Sequence, residues 1–298
     1  MSAWFCRVFG WWCPKPLPIV VPPIIAPTAR CAMGCVAQRG AGDIAGMVAL
    51  GAKIVRVTFY TAQDTPQYRT DIASWLTQFD AAGIEPVIVV HDFQNATNAP
   101  AMMASLVASF PNRTWQVGNE YNGQPWREKS PGWGPGSTTG TFYAGLMQQV
   151  VAACSAARFV GMGLAFNFAQ AQFLADYIAG GGPTLEAWCI HVYGCPYNAN
   201  ATVPETTAVL QGKMPLWITE YGIEEASMVA AWGPQTLAQC DAEQCKEMAA
   251  LLAVAGSLGV SRTYYYCYWD DTDTGFGLVR KDESHRPAWD SLHAACAR

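Results

Sequence analysis

From Arg30 onward the chain switches repeatedly between dense apolar runs and segments with apolar residues three and four apart. Ile54-Val-Arg-Val-Thr-Phe-Tyr60 reads as a strand. Within 71–82, Ile72, Trp75, Leu76 and Phe79 share one helical stripe, and Gly83 follows as a stop. The same alternation predicts strands over 31–37, 54–60, 85–93, 115–122, 158–166, 186–193, 215–221 and 260–269. It predicts helices over 43–51, 71–82, 99–110, 141–157, 169–179, 206–211, 237–259 and 287–297. Proline and glycine punctuate the series, with Pro111 after the third helix and Gly180-Gly-Gly182 after the fifth.

Strand–helix units in strict succession, with strands apolar on both faces, predict an α/β protein with a parallel sheet. Eight such units in residues 30–298 match a single (β/α)8 TIM barrel. A doubly wound sheet is the competing fold, and it would carry a glycine-rich phosphate turn after its first strand. Gly40, Gly42 and Gly46 are only a weak echo of that turn, with no acidic ribose partner at the right distance, and read as turn glycines.

Residues 1–29 form an irregular N-terminal extension. Trp4, Phe5, Phe9, Trp11 and Trp12 crowd its start, and Pro18, Pro22, Pro23 and Pro27 interrupt the apolar stretch after it. Those prolines rule out a continuous helix, so the stretch suits neither a signal-peptide core nor a membrane span. Two readings stay open for residues 1–27: an anchor to a membrane surface or partner, or a strap across the barrel bottom.

Bulk composition narrows the function. Apolar residues make up 51% and charged residues only 14%, which excludes a disordered chain. The net charge of −5 and the lack of a basic block argue against nucleic acid as a partner. Among 11 cysteines there is no Cys-x2-Cys pair, so no structural zinc site is expected, and no other metal or cofactor is implied. Cys6 with Cys13 and Cys31 with Cys35 are spaced for local disulfides. Cys240 and Cys245 fall on one helix with poor bridging geometry, and Cys154, Cys189 and Cys267 are expected to be buried thiols.

In a barrel, reactive groups sit at the C-terminal ends of strands. There the sequence places Arg56 and Tyr60 on the second strand, and His91 and Asp92 on the third. The fourth offers Asn119, Glu120 and Asn122, and the sixth His191 and Tyr193. Glu220 and Tyr221 end the seventh, and Trp269, Asp270 and Asp271 the eighth. Strict alternation puts Gln116, Gly118 and Glu120 on one face, and Leu216, Ile218 and Glu220 on one face. If both faces point inward, Glu120 and Glu220 converge on the axis.

Two converging carboxylates without a metal cluster suit cleavage of a glycosidic bond, one as proton donor and one as ionised partner. Arg56 is a candidate for holding Glu220 ionised, with His191 and Tyr193 as hydrogen-bonding support. Residues 123–140 form a Gly/Pro/Trp-rich loop beside the mouth, and its Trp126 and Trp133 are candidates for sugar stacking. A metal-dependent barrel hydrolase would need His-x-His on the first strand, which has no histidine.

Asn119-Glu120 and Ile218-Thr-Glu-Tyr-Gly222 resemble the strand-four and strand-seven signatures of the clan A glycoside hydrolases. Arg56, His191, Tyr193 and Trp269 fall where that clan carries active-site support, and Phe276-Gly-Leu-Val279 followed by Arg286-Pro-Ala-Trp289 is similar to its usual ending. The resemblance covers residues 30–298 and is nearest to family 39 and family 5-like members. It departs at Tyr121, where many members have proline after the glutamate. It implies a retaining (β/α)8 enzyme with Glu120 as acid/base and Glu220 as nucleophile. Asn119 would contact the sugar 2-hydroxyl and Trp269 would floor the subsite of the reacting sugar.

The resulting expectation is a retaining hydrolase of β-glycosidic bonds in a polysaccharide or oligosaccharide, endo-acting, with no cofactor. The alternative is a barrel that binds a glycan without cutting it. A polysaccharide substrate favours an extracellular or cell-envelope site of action, although no clear signal peptide is present.

Overall fold

A computed structural model describes residues 32–37, 43–91, 93, 95–124, 136–165, 169–193, 196–224, 236–270 and 275–296. The N-terminal extension therefore lies outside the described residues, as do Asp92, Trp126, Trp133 and Asp271.

The strands are β1 (Ala32–Ala37), β2 (Ile54–Tyr60), β3 (Glu85–His91), β4 (Thr114–Val117), β5 (Arg158–Val160), β6 (Trp188–Tyr193), β7 (Leu216–Gly222) and β8 (Arg262–Tyr265). The helices are α1 (Ile44–Leu50), α2 (Pro66–Ala81), α3 (Ala99–Ser109) and α4 (Gly140–Ala153), then α5 (Gln170–Ala179), α6 (Pro196–Leu210), α7 (Leu237–Ser257) and α8 (Pro287–Cys296). All strand pairs are parallel, in the order β5-β4-β3-β2-β1-β8-β7-β6. This is the α/β barrel succession. The ladder is incomplete at the β5/β6 seam, where Gly161 N donates to Ala187 O at 2.9 Å and His191 N to Leu164 O at 3.0 Å.

Two apolar layers result. Val55, Val57, Phe59, Ile88, Val90, Trp115, Val117, Ile190 and Ile218 belong to the large cluster that receives the helices. Val36, Ile54, Val87, Val160, Cys189, Trp217 and Tyr264 fill the smaller cluster inside the sheet. Alternate residues of one strand thus enter different layers, as the pleat requires. Cys154, Cys189 and Cys267 are buried, as the sequence suggested.

Several elements differ from the sequence expectation. The second helix begins at Pro66, because the Thr65 hydroxyl caps Tyr68 N and Pro66 fits the first helical position. The sixth is no short helix over 206–211: it spans Pro196–Leu210, running through Pro204. The fourth, fifth and eighth strands are shorter than predicted, ending at Val117, Val160 and Tyr265.

The largest correction concerns β7. Leu216 and Ile218 lie in the outer layer and Trp217 in the inner one, so simple alternation would turn Glu220 outward. The pairing shifts instead. Ile190 and His191 of β6 oppose Ile218 and Glu220, and Thr263 and Tyr265 of β8 oppose Ile218 and Tyr221. One extra residue on β7 makes a bulge, which returns Glu220 to the interior.

Candidate active site

The two glutamates reach the mouth by different backbone devices. Glu220 follows the β7 bulge. Glu120 follows a break in β4, where Gly118 has φ 82 and Glu120 itself is left-handed at φ 54, ψ 34. Gly118 cannot be replaced without strain, since a Cβ there would meet the Tyr121 ring at 2.6–2.8 Å. Tyr121 is fully buried, edge-on to Tyr143 at 6.4 Å, and fills the space beneath this turn. Glu120 N donates to Gly163 O at 2.9 Å, which fixes the turn to the segment after β5. The break lets consecutive residues, Asn119 and Glu120, both serve the interior.

Arg56 is the hub. It is 2% exposed, on the inner face of β2. Its Nη1 donates to Glu220 Oε1 at 2.5 Å, its Nη2 to Asn119 Oδ1 at 2.5 Å and its Nε to Gln116 Oε1 at 3.1 Å. The Tyr193 hydroxyl donates to the other oxygen of Glu220, Oε2. His191 Nδ1 lies 2.7 Å from Glu120 Oε1 and 3.5 Å from Glu220 Oε2, so one ring nitrogen bridges the carboxylates.

Burial opposes ionisation of Glu220. His191 and Arg56, with the hydrogen bonds from Tyr193 and Arg56, outweigh it and hold the carboxyl below the usual range. Burial and the neighbouring Glu220 charge push Tyr193 well above the ordinary phenol value, so its hydroxyl stays a donor.

Glu120, His191 and Glu220 each offer a ligand atom, all within 4.8 Å of one another. Among the described residues, they are the cluster that could hold a cation. Arg56 already sits on Glu220, however, and its guanidinium opposes a divalent ion there.

Of the other expected residues, His91 ends β3 opposite Tyr60, ring centroids 5.6 Å apart. Trp269 pairs with Val279, stands edge-on to Tyr268 at 5.9 Å and packs against the outer core. The site also contains two rings to which the sequence reading gave no role in it. Tyr266, just past β8, contacts Tyr193 at 6.2 Å and Phe276 at 5.6 Å, and Phe276 contacts Tyr193 at 5.6 Å. The signal for Tyr266 was its position at the end of β8, which the longer predicted strand placed at Trp269.

No protein-family model matches the chain, and no curated protein matches it. Solved structures do. A β-glycosidase, BGL167, is 15% identical with TM-score 0.65, covering 87% of this chain and 85% of that one. A GH5-4 broad-specificity endoglucanase from Clostridium longisporum is 10% identical with TM-score 0.64, covering 88% and 86%. ZgEngAGH5_4, solved with a cellotriose, is 10% identical with TM-score 0.64, covering 90% and 96%. The fold is that of the family 5 glycoside hydrolases. The matches cover 87–90% of this chain, in which Glu120 lies just past the fourth strand and Glu220 near the end of the seventh.

Proposed function

We propose that this protein is a retaining glycoside hydrolase that cleaves β-linked polysaccharides or oligosaccharides. The observation that carries the reading is the asymmetry of the carboxylate pair. Glu220 is gripped by Arg56 and Tyr193 and kept ionised, while Glu120 is 24% exposed at its side chain and faces the mouth. An oxygen of each lies within 4.8 Å of the other. That proximity supports the short separation of roughly 5–5.5 Å found in retaining enzymes over the longer one of inverting enzymes.

In the first step Glu220 attacks the anomeric carbon and Glu120 protonates the leaving oxygen, so the glycosidic bond breaks as a glycosyl ester forms. In the second, Glu120 takes a proton from water, which attacks the anomeric carbon and releases Glu220. Arg56 binds Asn119 Oδ1, which leaves the amide NH2 to donate to the sugar 2-hydroxyl. Tyr266 and Tyr60 supply ring surface for the sugar, Tyr60 being 43% exposed. His91 supports Tyr60. Trp269, Trp126 and Trp133 are kept as candidate stacking residues. The cellotriose in a structural neighbour makes β-linked glucan the first substrate to try, with endo cleavage expected.

The test is incubation with β-glucans, cello-oligosaccharides, other β-linked polysaccharides and aryl β-glycosides, with products followed by proton NMR. The expected first product keeps the β configuration, and Glu220→Gln loses about 10^4-fold or more in kcat. An inverted first product would sink the double-displacement mechanism. Silence of wild type across the panel, with sugar still bound, would leave a glycan-binding barrel.

A further inference from the structure

The segment 275–279, Gly-Phe-Gly-Leu-Val, has no part in the mechanism above, yet it is fixed more firmly than a surface loop requires. Phe276 O accepts from the Tyr265 hydroxyl at 2.9 Å and from Gln244 Nε2 at 3.3 Å, and Gly275 O accepts from the same Gln244 nitrogen at 3.1 Å. Gly275 N donates to Asp270 Oδ1 at 3.0 Å, and Arg286 Nη2 donates to Asp270 Oδ2 at 2.8 Å. Arg286 also reaches Asp241 on α7 at 3.1 Å. Asp270, Arg286, Gln244 and Asp241 are all buried. A buried polar network of this kind specifies a position rather than adding much stability.

What it positions is one ring. Phe276 meets Tyr193 at 5.6 Å and 65° and Tyr266 at 5.6 Å and 81°, and those two meet each other at 6.2 Å and 81°. Three mutually edge-on rings hold one another against rotation. Gly222, two residues after Glu220, makes the approach possible: a Cβ there would lie 3.2 Å from Phe276 Cδ1 and 2.7 Å from Tyr266 O. The Tyr193 ring so held carries the hydroxyl that donates to Glu220 Oε2.

We propose that Phe276 is a positioning residue for Glu220, acting through the Tyr193 ring. The buried network around Asp270 and Arg286 sets its place. This rests on the proposed role of Glu220 only for its catalytic consequence; the positioning itself is independent of turnover. The groups facing Glu220 are Arg56 from β2, Glu120 from the end of β4, His191 and Tyr193 from β6 and Tyr266 after β8. Phe276 touches only the two tyrosines among them in the ring contacts above.

The experiment is a carboxyl carbon-13 NMR titration of glutamate-labelled protein, with Glu220 assigned by its loss in Glu220→Gln. Wild type, Phe276→Ala, Phe276→Tyr, Tyr193→Phe and the double variant Tyr193→Phe/Phe276→Ala are compared. Tyr193→Phe is expected to raise the Glu220 midpoint by roughly one pH unit, and Phe276→Ala by a good part of that. Phe276→Tyr, which keeps the ring, should return it to the wild-type value. The double variant should titrate like Tyr193→Phe alone, since the route is shared. An unmoved midpoint in Phe276→Ala, or additive shifts in the double variant, would overturn the proposal. If Phe276→Ala does not fold, Phe276→Leu takes its place: it fills the site without the ring edges and should shift the midpoint in the same direction. Absence of turnover in the wild type would refute the proposed function and leave this titration readable.

Discussion

Arg56 Nη1 donates to Glu220 Oε1 at 2.5 Å, with both side chains almost fully buried. A guanidinium in that position has two roles at once. It compensates a carboxylate that could not otherwise stay charged away from water, and its other nitrogens fix Asn119 and Gln116. Arg56→Met removes the compensation while keeping most of the bulk. At neutral pH it is expected to destabilise the fold by about 3–5 kcal/mol, because Glu220 is left charged and unpaired. The loss should shrink toward pH 4 as Glu220 takes up a proton. Urea unfolding at both pH values reads this, and an equal loss at both would mean that Arg56 contributes packing only.

The depressed ionisation of Glu220 has a definite sign in stability. Its folded-state value lies below the unfolded value of about 4.3, so the stabilisation is fully present above about pH 5 and lost as pH falls through the folded value. Thermal unfolding of wild type and Glu220→Gln should differ most at neutral pH and converge in strong acid. The acid limb of kcat/KM should likewise lie below the ordinary glutamate value. An acid limb near 6 would contradict the assignment of Glu220 as the ionised partner.

Gly118 and Tyr121 form a backbone device that strict motif matching would mark as a departure. Gly118→Ala introduces a Cβ against the Tyr121 ring at a position with φ 82. It should cost about 1–3 kcal/mol in stability. It should also lower kcat more than it changes KM, because the displaced group is Glu120 rather than a sugar platform. Paired kinetics and unfolding curves separate the two effects. Retention of full kcat would show that the Glu120 turn tolerates movement.

The order of strands and helices was legible in the sequence because it depends on apolar periodicity, which the parallel sheet and its covering helices enforce. Arg56, His191 and Tyr193 were legible for the same reason: each lies on an unbroken stretch where alternation holds. Glu220 was placed at the right strand end from a face assignment that β7 does not obey. The bulge at 219–220 inserts one residue and restores the inward direction, and no residue there announces it. Glu120 lies in a left-handed turn that a β-strand reading excludes. Tyr266 was passed over because β8 ends at Tyr265, four residues before the predicted boundary at Trp269, and Phe276 was named only within the segment leading to the last helix.

Glu247 on α7 offers a test away from the mouth. It is 6% exposed, one turn after Glu243, and burial followed by the Glu243 charge and hydrogen bond pushes its carboxyl up to about 8. Lys246, paired with Glu243 at 2.9 Å, opposes this only in part. A raised carboxyl is protonated in the folded chain where the unfolded chain has lost its proton. Its penalty is therefore absent below about pH 4 and grows as pH rises toward 8. Glu247→Gln should leave stability unchanged at pH 4 and increase it by about 1–3 kcal/mol at pH 9, read by thermal unfolding. A gain already complete at pH 4 would point to packing instead of charge.

Tyr266 and Trp269 compete for the role of platform under the reacting sugar. The Tyr266 ring lies edge-on to Tyr193, whose hydroxyl holds Glu220, while Trp269 packs against the outer core and stands edge-on to Tyr268. A sugar at the anomeric distance from Glu220 would thus meet Tyr266 first. Tyr266→Ala should reduce kcat/KM on a short oligosaccharide by about 10- to 100-fold, in keeping with the loss of one stacking surface in an enclosed site. Trp269→Ala should reduce it less on the same substrate, with a larger share of its effect in thermal stability. Tyr266→Phe separates ring from hydroxyl: a platform survives that change, and a hydrogen-bonding role does not. The opposite ranking, with Trp269→Ala the more damaging to catalysis and Tyr266→Ala near wild type, would return the platform to the position that motif resemblance alone assigns.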